Sequence, residues 1–146
     1  MRDINLIVIH CSATKEGKDY SVGDIRKWHK KRGFKDIGYH FVITLVGKIK
    51  KGRPIEQPGA HAKGYNSNSI GVCYIGGLDF NGNPKDTRTL AQIHALRNNV
   101  DTLRAIYGDN VGVVGHRDLS VDLNGDGVIS KNEWMKSCPC FDISEL

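Results

Sequence analysis

Ile4-Asn-Leu-Ile-Val-Ile-His10 (INLIVIH) is the most informative stretch of this 146-residue chain, because an apolar run ends there on a histidine. A short apolar run rich in β-branched residues is typical of a buried strand. The run Val111–Gly115 (VGVVG) has the same character and is followed by His116. Together with the helices described below, these runs predict an α/β fold: one mixed β-sheet flanked by helices, in a single domain spanning residues 1–146.

Two amphipathic helices are indicated by N-terminal capping boxes, in which a hydroxyl residue is followed three positions later by an acid or an amide. These boxes are Ser21 with Asp24 and Thr89 with Gln92. The first helix should end before Gly33 and turn Ile25 and Trp28 towards the core. The second should end at Gly108. Its expected apolar face consists of Leu90, Ile93, Leu96, Val100, Leu103 and Tyr107.

The segment between the helices predicts a hairpin and a further strand. We expect strands at His40–Val46 and from Ile49 onward, joined by a turn at Gly47-Lys48. Ser69–Ile75 is predicted to be the next strand. Residues 57–68 should form a loop, and residues 79–87 a turn-rich connection.

Composition limits the classes of function. The net charge of +5 and the pI of about 9.1 favour a polyanionic partner, but no base-reading motif supports nucleic acid. No run reaches the roughly 18–20 apolar residues that a membrane span requires. The apolar run Ile4–Ile9 is also shorter than the roughly 7–15 residues of a signal-peptide core. We therefore expect synthesis in the cytoplasm without an export signal.

Cysteine usage agrees with a reducing compartment. Cys11 and Cys73 lie in apolar runs, where a free thiol behaves as a small buried hydrophobe. Cys138 and Cys140 are too close in sequence to bridge each other well. We expect one metal ligand and three unpaired thiols.

His10, His116 and Cys138 could together hold a zinc ion. Two imidazoles and one thiolate fill three corners of a tetrahedron and leave the fourth open for water, as in catalytic zinc sites. Bound zinc lowers the pKa of water to roughly 7. Cys140 is the competing thiolate. Three other histidines are expected to be structural: His29, His40 and His94.

Residues 122–133 (DLNGDGVISKNE) match the twelve-residue EF-hand calcium loop. The expected ligands are Asp122, Asn124, Asp126, the carbonyl of Val128, Ser130 and Glu133. Residues 115–121 do not resemble the incoming helix of an EF-hand, whereas an outgoing helix from Ser130 to Lys136 is predicted. We interpret the segment as a loop insertion in which calcium would have a structural role.

Five segments, in the same order, resemble the type 2 N-acetylmuramoyl-L-alanine amidases, a family that includes zinc-dependent phage lysozymes and peptidoglycan recognition proteins. They are His10–Thr14 (HCSAT), Gly38–Phe41 (GYHF), His61–Asn66 (HAKGYN), Asn68–Cys73 (NSIGVC) and Cys138–Asp142 (CPCFD). The resemblance places the zinc ligands on His10, His116 and Cys138. It also implies a catalytic tyrosine at Tyr39 and a catalytic lysine at Lys136.

The same resemblance implies that His61 lines the substrate cleft, with Lys63 and Asn66 as weaker candidates for substrate contact. The insertion is interpreted as a variation on the family pattern, in which a shorter segment can join the second histidine to the cysteine.

The implied activity is zinc-dependent hydrolysis of the amide bond between N-acetylmuramic acid and L-alanine in peptidoglycan or a muropeptide, by a monomer. The expected setting is a phage or prophage endolysin acting on the cell wall after release. Export as a toxin and cytoplasmic muropeptide recycling are the alternatives. Three other functions remain open: a non-catalytic peptidoglycan-binding module, a regulator that binds nucleic acid or a polymerase, and a calcium-binding protein with an unused zinc pocket.

Overall fold

A five-stranded mixed sheet forms the centre of the computed structural model, which describes residues 2–146. The elements are β1 Leu6–Cys11, β2 Thr14–Lys15, α1 Val22–Lys31, β3 Phe41–Ile43, β4 Ile49–Lys51, β5 Ser69–Tyr74, β6 Gly77–Leu78, α2 Leu90–Tyr107 and β7 Gly112–Gly115. The strand order is β4-β3-β5-β1-β7, in which only the β3–β4 pair is antiparallel. Strands β2 and β6 form a small parallel pair of their own. The predicted mixed α/β fold is confirmed.

The two helices cover opposite faces of the sheet. Successive residues of a strand point to opposite faces of the sheet, so neighbouring residues of β3 pack into different hydrophobic clusters. Ile43 packs in the cluster that contains Leu96 of α2, whereas Val42 packs with Ile25 of α1. In β1, Ile9 and Cys11 face α2. His10, between them, therefore points to the α1 face of the sheet.

Both capping boxes are present. Ser21 and Asp24 exchange side-chain to backbone hydrogen bonds at 2.8 and 3.1 Å, and Thr89 and Gln92 do so at 3.0 and 3.1 Å. The second helix ends at Gly108, as predicted. Among residues 2–146, neither helix is long and apolar enough to cross a membrane.

Two residues predicted to face the core do not. Trp28 is 37% exposed, because its ring packs edge-on against Tyr20 beside an open cleft, and His29 takes the buried position instead. Leu90 is 70% exposed, since the first turn of α2 turns Gln92 inward. The amide of Gln92 donates to the backbone carbonyls of Ile43 and Ile75.

The first strand of the hairpin is shorter than the predicted His40–Val46. The N–H of His40 already donates to the Gly71 carbonyl, and the chain turns at Thr44, whose carbonyl accepts from Gly47. The predicted partner strand beginning at Ile49 is confirmed.

The predicted outgoing helix from Ser130 to Lys136 is wrong. Only one 3-10 turn forms, at Lys131–Glu133, and Trp134 returns to extended backbone. The physical reason is that Glu133 turns its carboxylate back into the loop, where it accepts from the N–H and hydroxyl of Ser130.

Candidate active site

Strand pairing brings the two predicted histidine ligands together. Strands β1 and β7 run parallel with Ile9 opposite Gly115, so the residues that follow this pair lie side by side at the same end of the sheet. Those residues are His10 and His116, whose ring centroids lie 4.6 Å apart.

A segment from the far end of the chain brings Cys138 to the same place. The Cys138 carbonyl accepts from the N–H of Arg117 at 2.8 Å. Its Sγ accepts from the N–H of Cys11 at 3.2 Å, directly after His10. This hydrogen bond fixes the sulfur of Cys138 beside the backbone that follows His10.

The ligand atoms of His10, His116 and Cys138 all lie within 4.8 Å of one another. The Nδ1 atom of His10 lies 3.8 Å from the Sγ of Cys138. Two imidazole nitrogens and one thiolate sulfur are the donors of a catalytic zinc site that retains an open position. The residues present therefore fit zinc.

Electrostatics keep the imidazoles available as ligands. Burial lowers the pKa of His10 well below its usual range, and the neighbouring His61, His116 and Lys136 add to this effect. Burial and the charge of Lys136 also lower the pKa of His116. Both rings are therefore neutral at pH 7, and a neutral ring has a lone pair for a cation.

Cys140 is directed away from the ligand group. Its Sγ lies 3.8 Å from the Sγ of Cys11, and it is absent from the triad found among the described residues. A hydrogen bond with Cys138 is the main factor that raises the pKa of Cys11 to about 12, so Cys11 stays protonated. All four cysteines are free thiols in the structure, and the expectation that one of them binds a metal stays a prediction.

The two predicted catalytic side chains lie beside this group. The ring of Tyr39, just before β3, is 5.0 Å from that of His10. Burial raises the pKa of Tyr39 well above its usual value, so the phenol stays protonated. Lys136 is exposed, lines the same cleft, and is near enough for its charge to affect both histidines.

An open cleft of about 880 Å³ lies over the triad. Lys63, a candidate for substrate contact, is exposed in its lining. Asn66 lies in the lining too, but its Oδ1 already accepts from the N–H groups of His61 and Ala62 at 3.0 Å. Asn66 thus holds its own loop in shape.

His61 lies against His10 rather than free in the cleft. Its Nδ1 is 2.9 Å from the Nε2 of His10, and its Nε2 is 3.2 Å from the hydroxyl of Ser69. His61 nevertheless belongs to the lining of the cleft, and both of its ring nitrogens have protein partners. Its contact with substrate stays a prediction. Burial, and then its charged neighbours, lower the pKa of His61 to about 3.

Other residues of the site had little signal in the sequence. For Ser69, the sequence predicts only a position in a strand. His29 accepts from the N–H of Gly38 at 2.8 Å and packs on Tyr39 with centroids 5.2 Å apart. Its position four residues after Ile25, on the same helical face, could have revealed it. The exposed Val121 and Met135, which flank the insertion, lie in the wall of the cleft.

The insertion contains a second group of possible ligands. Carboxylate oxygens of Asp122, Asp126 and Glu133 lie within 4.8 Å of one another. Hydrogen bonds, first among them that from the Ser130 N–H, lower the pKa of Glu133 to about 2, so it is ionised. Asp122 accepts from the N–H of Gly127 at 2.7 Å. Neither flank is an α-helix, so the segment is not a complete EF-hand.

Known proteins are similar to this chain in sequence and in fold. Residues 1–140 match the family model described as N-acetylmuramoyl-L-alanine amidase. An endolysin of Klebsiella phage KP32 is 40% identical over 142 residues, which cover 97% of this chain and 84% of that protein. Among solved structures, the amidase LysC of Clostridium intestinale URNW has a TM-score of 0.73 at 25% identity, covering 97% of this chain and 79% of that one. Drosophila PGRP-LB with tracheal cytotoxin has a TM-score of 0.71 at 25% identity, covering 95% and 76%.

The fold and the site define the class shared by peptidoglycan amidases and peptidoglycan recognition proteins. Within it, the chain belongs to the N-acetylmuramoyl-L-alanine amidase family. The predicted enzymatic activity, hydrolysis of an amide bond in peptidoglycan, is confirmed at the level of the family.

Buried histidines should make the metal-free protein sensitive to acid. The folded-state pKa values are about 4 for His40 and about 3 for His61, below the ordinary 6.5. The unfolded chain therefore binds protons first, and the free energy of unfolding should fall as pH drops from about 6.5 towards 3. Urea unfolding of metal-free protein across this range measures the slope. His40→Gln should flatten it, whereas His94→Gln, at an exposed position of α2, should leave it unchanged. Equal slopes in all three proteins would contradict the assignment.

Proposed function

We propose that this chain is a zinc-dependent endolysin that cleaves the bond between N-acetylmuramic acid and L-alanine, with zinc held by His10, His116 and Cys138. The observation that supports this proposal most strongly is that these three side chains converge at one end of the sheet, at the base of an open cleft. Its endolysin relatives at about 40% identity support a role in cell-wall degradation.

The ion would supply Lewis acidity towards water and towards the scissile carbonyl. Lys136 carries a positive charge beside the ligand group and would stabilise negative charge developing on the carbonyl oxygen. Tyr39 stays protonated, so it would orient water or donate a hydrogen bond rather than act as a base.

The charge of the cleft fits a wall fragment. Arg32, Lys63 and Lys136 line it, and no acidic side chain does so among residues 2–146. Stem peptides carry carboxylates, so this surface would attract them. Binding of tracheal cytotoxin by Drosophila PGRP-LB supports a muropeptide-like ligand. We propose that the substrate contacts Lys63 in this cleft. We also propose that the chain acts as a monomer and binds neither membrane nor nucleic acid.

The non-catalytic binding module is the alternative function. The proposed Cys138 ligand favours the enzyme, since the ligand set would be incomplete without it. For an enzyme, the endolysin relatives favour action on the cell wall after release over cytoplasmic recycling of soluble fragments.

Clearing of purified cell walls tests the proposal. Zinc-loaded protein should clear a turbid wall suspension. A chelator or Cys138→Ala should abolish clearing, because either removes the ion. Cys140→Ser is the matched control and should retain activity, since Cys140 points away from the triad. Wall binding without clearing by the zinc-loaded protein would favour the recognition module, and cleavage of soluble muropeptides alone would favour recycling.

Replacing Lys136 tests its catalytic role. Lys136→Ala should lower kcat about 10²–10³-fold, the usual cost of one oxyanion-stabilising donor. Zinc content should stay unchanged, because Lys136 supplies no ligand atom. Lys131→Ala, at an exposed position five residues earlier in the chain, is the control. A kcat within about threefold of the unaltered enzyme would remove Lys136 from the chemistry.

We further propose that residues 122–133 bind calcium. The three carboxylates that lie together support this, and oxygen ligands suit calcium. The remaining ligands would be Asn124, the Val128 carbonyl and Ser130. This ion would order the insertion beside the cleft.

Thermal unfolding tests calcium binding. Calcium should raise the melting temperature of zinc-loaded protein, because a ligand that binds only the folded state stabilises it. Asp122→Ala with Asp126→Ala should remove this rise, whereas Asp101→Ala, at an exposed site of α2, should keep it. A melting temperature indifferent to calcium would reject the site.

A further inference from the structure

His61 is a buried side chain that contacts the ring nitrogen of His10 that faces away from Cys138. The Nε2 of His10 lies 2.9 Å from the Nδ1 of His61, while the Nδ1 of His10 faces Cys138 at 3.8 Å. The two rings meet edge to face, with centroids 5.0 Å apart and planes at 87°. His61 itself is 9% exposed.

We propose that His61 is a positioning residue: it accepts a hydrogen bond from His10 and so fixes the His10 ring with Nδ1 towards the metal. The inference rests on the proposed zinc site. A partner on the second nitrogen of a ligating histidine fixes both its tautomer and its orientation.

The direction of each hydrogen bond follows from the chemistry of imidazole. If Nδ1 of His10 gives its lone pair to a cation, the ring proton must be on Nε2, which then donates. The Nδ1 of His61 must accept it. The proton of the His61 ring is then on Nε2 and donates to the hydroxyl of Ser69 at 3.2 Å. The three side chains thus form a chain with one consistent set of tautomers.

Packing prevents His61 from moving away. A Cβ atom on Gly71 would come within 2.6 Å of the His61 ring, and one on Gly59 would do the same. Both backbones therefore lie directly against the ring. The loop is held in addition by Asn66, which accepts from the His61 N–H. The His61 ring therefore presents its Nδ1 acceptor to His10 in one fixed orientation.

The choice of acceptor affects the charge of the site. Ligating histidines commonly donate to a carboxylate, which would add a negative charge beside the ion. His61 is an uncharged acceptor. Zinc with one thiolate and neutral imidazoles retains a net charge of about +1, which favours attraction of an electron-rich carbonyl.

Zinc affinity without substrate tests the proposal. His61→Leu removes the acceptor and should weaken zinc binding about 10–100-fold, the usual cost of losing such a partner. His61→Asn restores an acceptor at the place of Nδ1, because Oδ1 of asparagine occupies that position, and should bind within about threefold of the unaltered protein. His94→Leu, on the exposed side of α2, is the matched control. Competition with a chelating dye gives the Kd, and melting of the metal-free protein reports structural damage.

A loss in His61→Leu that His61→Asn recovers supports positioning. Unchanged zinc affinity in His61→Leu overturns it, as does an equal loss in both variants that follows the melting temperature of the metal-free protein. The measurement needs no wall substrate. A protein that binds zinc through this chain of contacts but clears no walls would therefore refute the proposed activity and leave this inference intact.

Discussion

The parallel register of β1 between β5 and β7 is the constraint on which the rest of the structure depends. It sets Ile9 opposite Gly115 and His10 opposite Cys73. A slip of one residue would turn His10 to the α2 face and direct Cys11 to the α1 face. Strand β1 is apolar on both faces and lies between two parallel partners, so burial fixes the register strongly.

The site combines neutral bases with surrounding positive charge. Burial lowers the pKa values of His10, His61 and His116, so these rings offer lone pairs instead of repelling a cation. Cys138 is the only side chain of the triad that can supply negative charge. Lys136 and the other cations of the cleft lie towards solvent, where an anionic substrate would arrive. The same fold thus separates a pocket suited to a cation from a surface suited to an anion.

The chain carries two chemically different groups of possible ligands. Nitrogen and sulfur donors suit zinc, whereas the carboxylates of residues 122–133 suit a harder ion. The ends of the insertion are tied together, since the N–H of Met135 donates to the Ser120 hydroxyl at 3.1 Å. The guanidinium of Arg117 also lies 3.8 Å from the ring centroid of Trp134. A more ordered insertion would therefore also order the residues beside it that form the wall of the cleft.

Local chemistry made several features predictable from the sequence. The capping boxes at Ser21 and Thr89 depend only on residues three positions apart, and buried strands are marked by their own apolar runs. The convergence of His10 with His116 follows once both are placed at the ends of parallel strands. The resemblance to the amidases then favoured Cys138 over Cys140 as the third ligand, since no local pattern connects either thiol to His10, more than a hundred positions away.

Local sequence patterns were therefore enough for most of the elements, the family resemblance and the chemical types of the ligands. Three features became visible only in the folded chain: Trp28 borders a cleft instead of the core, Glu133 ends a turn instead of entering a helix, and His61 contacts His10. Each of these outcomes depends on which distant groups approach a side chain. Periodicity and propensity describe neighbours along the chain, whereas burial and hydrogen bonding are settled by neighbours in space.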